Sequence, residues 1–184
     1  RLRARGVKRV VTTCPECTRT LKIDYPQLVG AHGLEVVHIS QLLADSNLVN
    51  LASNHQQASN PTAHVPWVTY QDPCYLGRHN GIYDEPRNVL KSIPDLILAD
   101  EINARENSLC CGGGGARIWM ETKKGERFSD TLVEQALDLG AEVLATACPY
   151  CILNFKDSVL TMGKEDALKV MDISELVCKA LESY

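Results

Sequence analysis

The sequence predicts an α/β protein of tandem pseudo-repeated units, with mostly parallel sheets covered by helices. Short β-branched runs alternate with helix-length stretches that carry apolar residues at helical spacing. A segment near the amino end recurs near the carboxyl end at constant spacing. Cysteines fall just where predicted strands end, the place where ligands of parallel sheets gather.

The repeat sets the organisation. Val10-Val11-Thr12-Thr13-Cys14-Pro15-Glu16-Cys17 matches Leu144-Ala145-Thr146-Ala147-Cys148-Pro149-Tyr150-Cys151 at an offset of 134 positions. Lys22 then falls on Lys156, Ile39-Ser40 on Ile173-Ser174, and Leu42 on Leu176 without a gap. Such register predicts a duplicated unit: residues 1–44 as the carboxyl-terminal half of a first copy, 45–66 as a linker, and 67–184 as a complete second copy. The absence of an initiator Met before Arg1 accords with a piece of a longer chain. The linker is rich in Asn, Ser, Gln and Ala and ends near Pro61 and Pro66, with an optional edge strand around Leu48–Leu51.

Within the second copy, Trp67-Val68-Thr69-Tyr70 reads as a strand that delivers Cys74. A helix follows, with Asp84 as its expected cap, Pro86 in its first turn and Val89, Leu90 and Ile93 as its apolar face, before Pro94 stops it. Asp95–Ala99 is a second strand. Ser129 or Asp130 is expected to cap a helix carrying Leu132, Val133, Ala136, Leu137 and Leu139, which Gly140 ends. Ala141–Ala147 is the next strand. Cys148-Pro149-Tyr150-Cys151 opens another helix, with Leu153, Phe155 and Val159 as core candidates, and a terminal helix spans 174–183.

With 45% hydrophobic residues, 23% charged and a net charge of −4, the composition excludes a disordered chain and argues against nucleic acid as partner. Arg1, Arg3, Arg5, Lys8 and Arg9 read as a solvated helix face. No apolar run reaches the roughly 18–20 residues of a membrane span, and no signal peptide opens the segment. A cytoplasmic setting is expected, with membrane association left open through further segments or partners. Eight cysteines without export signals point away from disulfides and toward metal binding or redox chemistry.

The second copy holds Cys74, then 35 residues, Cys110-Cys111, then 36 residues, and Cys148-x-x-Cys151. Thiols at a helix start are favoured as thiolates by first-turn amides and the helix dipole. Cys-x-x-Cys alone fits equally a redox dithiol or half a zinc site. The adjacent pair Cys110-Cys111 needs an unusual turn to aim both sulfurs at one place, and Gly112-Gly113-Gly114-Gly115 supplies that freedom. Five thiolates exceed what one zinc ion uses, whereas an iron–sulfur cluster can share five sulfurs; zinc stays as the alternative.

Pro73-Cys74-Tyr75-Leu76-Gly77-Arg78, Cys110-Cys111-Gly112 and Cys148-Pro149-Tyr150-Cys151 together resemble the cysteine-rich CCG domain of heterodisulfide reductase B and D proteins. Glycolate and lactate oxidase iron–sulfur subunits share that domain, as do membrane-linked partners of electron-transfer flavoprotein. The resemblance implies a [4Fe–4S] cluster, in heterodisulfide reductases a noncubane one, ligated by Cys74, Cys110, Cys111, Cys148 and Cys151. It also implies a flavin- or iron–sulfur-containing partner subunit and a disulfide substrate. The expected role is an oxidoreductase component; the alternatives are an electron relay for a flavin-dependent 2-hydroxy-acid oxidase or electron-transfer flavoprotein, and a zinc-stabilised interaction module. Cys14 and Cys17 are candidate ligands of a second cluster in the intact parent, short of that cluster's other ligands here.

Other residues have plainer readings beside the functional ones. Cys178, beside Leu176 and Val177, is expected as a buried apolar thiol. His79 is read as a loop residue, with ligand or proton donor as the sharper role. His32, His38, His55 and His64 show no spacing that suggests a site. Arg78 and Arg117 flank the cysteines and either lower thiolate pKa values or form surface ion pairs.

Overall fold

The computed structural model describes residues 1–46, 65–99, 103–123 and 125–182. The readings made for Leu48–Leu51, His55 and His64 lie outside them. Among the described residues, β1 (Arg9–Thr12) and β2 (Glu35–His38) pair in parallel as a two-stranded sheet. Between them run α1 (Pro15–Arg19), a π-helical turn (Thr20–Asp24) and α2 (Tyr25–Val29), and α3 (Ile39–Asp45) follows. The second sheet is also all parallel. Its strands are β3 (Trp67–Tyr70), β4 (Ile97–Leu98), β5 (Val143–Thr146) and β6 (Lys169–Asp172), in spatial order β4-β3-β5-β6. Helices α4 (Asp84–Ser92), α5 (Phe128–Asp138), α6 (Pro149–Met162) and α7 (Ile173–Glu182) cover it. The α/β class with helix-covered parallel sheets is the one the sequence predicts.

Strand alternation divides the core in two. Val143, Ala145 and Met171 pack with Val68, Tyr70, Val89 and Leu90 on one face, where Leu43 of α3 joins them. Leu144 and Val170 face the other way and pack with Val133, Ala136, Phe155 and Val159. All four residues of β5 are buried, as expected for a central parallel strand covered on both faces. Cys111, Cys148 and Cys151 belong to the second of these cores, so the cysteine site is continuous with packed apolar side chains.

The 134-position offset holds in three dimensions. β1 and β5 begin and end at equivalent positions, as do β2 and β6, and α1 and α6 start at equivalent prolines.

Three expected details change. Asp84 is the first helical residue of α4, with Tyr83 at the cap, and its carboxylate pairs with Arg105. α5 starts at Phe128 with Arg127 at the cap, which leaves Ser129 and Asp130 inside the first turn. There both side chains meet the hydroxyl of Ser158 on α6, and the Asp130 carboxylate accepts the Gly125 N–H. Leu153, expected in the core, is exposed on α6, whereas Phe155 and Val159 are buried. The inward stripe of α6 passes through Cys151, Phe155 and Val159 at i, i+4, i+8, which rotates Leu153 outward.

Candidate metal centre

Three chain segments carry the cysteines to the carboxyl ends of β3 and β5. After β3 come Gln71, Asp72 and Pro73, then Cys74. Asp72 is buried, its carboxylate gripped by both Arg87 nitrogens at 2.7 and 2.6 Å while also accepting the Arg105 N–H at 2.7 Å. An Arg fork on a carboxylate fixes direction as well as distance, so the strand end cannot swivel. Gln71 donates to the carbonyls of Asp72 (2.7 Å) and Leu109 (3.1 Å), and accepts the Thr146 hydroxyl. One buried amide thus joins the ends of β3 and β5 to the loop bearing Cys110. Ser108 adds a bond to the Asp72 carbonyl at 3.2 Å, and Arg78 donates to the Ser108 carbonyl.

The adjacent cysteines turn through Gly112, whose φ is +81°. A Cβ there would sit 3.1 Å from the Phe128 ring, so both backbone angle and space call for glycine. Cys111 is held from the other side by Asn154 of α6, whose amide donates to its carbonyl. Cys148 is the cap residue of α6 with extended backbone (φ −154°, ψ 123°), and Cys151 sits in the first turn.

The sulfurs touch as a string. Sγ of Cys74 lies 3.7 Å from that of Cys110, and Sγ of Cys111 lies 3.2 Å from that of Cys151. Cys110 and Cys111 are chain neighbours, and Cys148 and Cys151 stand at the cap and in the first turn of one helix. All eight cysteines are free thiols. Among the described residues, no three His, Cys, Asp or Glu side chains surround one single-ion position. All five second-copy candidates therefore come together, pairwise.

Protons are unevenly shared along the string. Hydrogen bonds from Cys111 and Cys74, with the Gly112 amide and the Arg78 charge behind them, push Cys110 well below the usual thiol range. Cys148 is lowered by its bond from Cys151 and by the first-turn amides of Cys151 and Tyr150, against burial. The same contacts raise Cys74, Cys111 and Cys151, the partners that keep the protons. Arg78 thus acts on Cys74 and Cys110 as a charge. The donor set fits a thiolate-binding metal group: soft sulfurs, N–H groups aimed at them, and protons to release on loading.

Cys14 caps α1 and accepts the Cys17 amide at 3.4 Å; burial pushes its thiol up to about 11, and the nearby Cys148 adds to the rise. Cys17 is exposed. Cys178 is exposed as well, which corrects the expected burial: Leu176 and Val177 fill the inward stripe of α7, and the next residue turns to solvent. His79 stacks on Tyr75 with centroids 4.4 Å apart, and its carbonyl accepts a bond from Arg19. Arg117 lies over the Phe128 ring at 5.9 Å, on the wall of a cleft of about 410 Å³ whose lining includes Cys111 and Gly112. His32 bonds the Leu21 carbonyl and the Leu34 amide.

Sequence reasoning missed two residues. Asp72 stands as an Asp-Pro pair just ahead of Cys74, which read only as a strand end. His38 is wholly buried, and burial lowers its pKa to about 4. Its signal was the repeat itself, because the equivalent position is Asp172, a helix-capping carboxylate that accepts from Ser174.

These elements define a cysteine-rich α/β protein whose thiols gather beyond the strand ends of a parallel sheet. Residues 68–156 match the family model of the CCG cysteine-rich domain. The chain is 38% identical to the EtfAB:quinone oxidoreductase of Syntrophomonas wolfei, over 96% of its own length and 24% of the relative's. It is also 38% identical to a component of the dihydromethanophenazine:CoB–CoM heterodisulfide reductase of Methanosarcina barkeri, over 98% of this chain and 42% of that one. With the probable iron–sulfur-binding oxidoreductase FadF of Bacillus subtilis it shares 36% identity over 95% of this chain and 24% of the relative. The chain therefore spans between about a quarter and two fifths of these curated relatives. Among the described residues, no helix is long and apolar enough to cross a membrane.

Proposed function

We propose that this chain is the iron–sulfur part of an oxidoreductase of heterodisulfide reductase type, with Cys74, Cys110, Cys111, Cys148 and Cys151 as ligands of a [4Fe–4S] cluster. The observation that carries this reading is the string of five free sulfurs contributed by three separate segments. A pairwise string suits a polynuclear centre better than a single zinc ion, which takes four donors around one point. Bound there, such a cluster supplies one-electron transfer. The chain's own residues prepare the place: Asp72 and Gln71 fix the strand ends, backbone amides stabilise thiolates, and the second core keeps water from Cys111, Cys148 and Cys151.

A flavin- or cluster-bearing subunit is the proposed redox partner, and a disulfide the proposed substrate. Reduced thiols accord with a cytoplasmic setting. The relay role stands as the second reading, because the electron-transfer-flavoprotein relative and the heterodisulfide reductase relative match with equal identity. Two measurements test this. Anaerobically purified protein is expected to contain iron and acid-labile sulfide; Cys111→Ala loses most of both while Cys178→Ala keeps them. Stoichiometric zinc without iron, or equal iron in both variants, overturns the assignment. EPR signals that change on adding an organic disulfide support reduction, and unchanged signals support a relay.

A further inference from the structure

The peptide group between Cys111 and Gly112 is held at both ends. Its carbonyl oxygen accepts from the side-chain amide of Asn154, and its N–H donates to Sγ of Cys110 at 3.4 Å. A carbonyl can only accept, so the NH2 end of Asn154 faces it. The peptide is trans, and its C=O and N–H therefore point in opposite directions across one rigid plane. Aiming the oxygen at α6 aims the hydrogen at the Cys110 sulfur. Asn154 is itself fixed: it is 8% exposed, and a Cβ added to Gly113 would lie 3.5 Å from its amide group. Arg127 holds the same turn of α6 by donating to the Asn154 carbonyl at 3.3 Å and to the Ser158 hydroxyl at 3.1 Å.

We infer that Asn154 is a positioning residue, which orients and polarises the Cys111–Gly112 peptide so that its N–H is held on the Cys110 sulfur. α6 meets Cys111 twice. Cys151 touches its sulfur at 3.2 Å, and Asn154, three residues on and on the same helix face, holds its carbonyl. Donation to a carbonyl draws electron density toward its oxygen and strengthens the N–H at the other end of the amide. Asn154 thereby acts on a sulfur that it does not touch. On a cluster ligand, an N–H bonded to sulfur favours the more negative, reduced state and raises the reduction potential. An apolar side chain at position 154 would leave the peptide free to turn its N–H away from Cys110.

The redox consequence rests on the cluster proposed above; the orientation of the peptide does not, and it can be read without iron. Cys111-Gly112 is the only Cys-Gly step in the sequence, so protein isotope-labelled at the carbonyl carbon of cysteine and the nitrogen of glycine gives a single NMR correlation, that of the Gly112 amide. Asn154→Leu keeps the side-chain volume and removes the donor. Ser158→Ala, one turn further along α6, removes bonds to Ser129 and Asp130 and leaves the peptide alone. In the cluster-free chain, the Gly112 amide proton is expected to move upfield in Asn154→Leu and to exchange with solvent roughly tenfold faster, and to keep its wild-type position in Ser158→Ala. In the anaerobically reconstituted chain, Asn154→Leu holds as much iron as the wild type and is reduced at a lower potential, whereas Ser158→Ala keeps the wild-type potential. A wild-type Gly112 signal in Asn154→Leu, or an equal change in both variants, overturns the positioning role. An unchanged potential in iron-loaded Asn154→Leu overturns its effect on the cluster. A wild type without iron ends the cluster reading and leaves the Gly112 signal to decide the orientation of the peptide.

Discussion

The Cys14 turn and the Cys148 turn start from the same local instructions and finish in different surroundings. Each follows a parallel strand, each places a cysteine at the cap of a helix, and each helix opens with proline. Yet β1 is open along one side while β5 is buried throughout, and α1 lasts 5 residues where α6 lasts 14. Cys151 is buried among other thiols; its equivalent, Cys17, is exposed. A Cys-x-x-Cys motif thus fixes its own geometry and not its chemistry. What makes the second turn a candidate metal centre is the arrival of Cys74 and Cys110-Cys111 from elsewhere in the chain, together with the core that covers them.

Paired substitutions at equivalent positions can break or sharpen this contrast. The largest effect is expected from Cys151→Ala, which should abolish most iron binding, against Cys17→Ala, which should leave iron per chain unchanged; equal loss would make the two turns alike. Next, Phe155→Ala on α6 removes a fully buried ring and should cost about 3–5 kcal/mol in urea unfolding. Its equivalent Leu21, half-buried beside the π-helical turn, should cost about 1 kcal/mol on the same change.

The last contrast is one of sign. His38 has a folded pKa of about 4 against an ordinary 6.5, caused by burial and opposed only by the two carbonyls. Its contribution is complete above pH 6.5 and is lost as pH falls toward 4, because the unfolded chain takes the proton first. Between pH 7 and pH 5 that loss amounts to about 2 kcal/mol, and His38→Asn should remove it. Asp172, at the equivalent position, is raised by burial, so its contribution runs oppositely and favours the fold as pH falls through its folded pKa. Urea midpoints of wild type and His38→Asn at the two pH values check this; parallel losses in both would show that His38 is not the group responsible.

Much of this was legible in the sequence because it is encoded locally. The alternation of β-branched and helical segments gave the class, and Trp67–Tyr70 and Cys148-Pro149 stand where their patterns put them. The repeat offset located equivalent strands to the residue. Helix starts were displaced where tertiary bonds outweigh capping preference, as at Ser129 and Asp130, which turn toward Ser158 instead.

The sequence by itself determined the strand and helix segments and their repetition, since periodicity and turn residues are properties of neighbouring residues. Only the tertiary structure decided that sulfurs from separate segments touch, that Asp72 and Arg87 lock the end of the strand that leads to Cys74, that Cys178 faces solvent, and that His38 is buried against the Thr13 carbonyl. Each depends on which surfaces meet when two cores close around one sheet. Such contacts join residues tens of positions apart, and no local pattern records them.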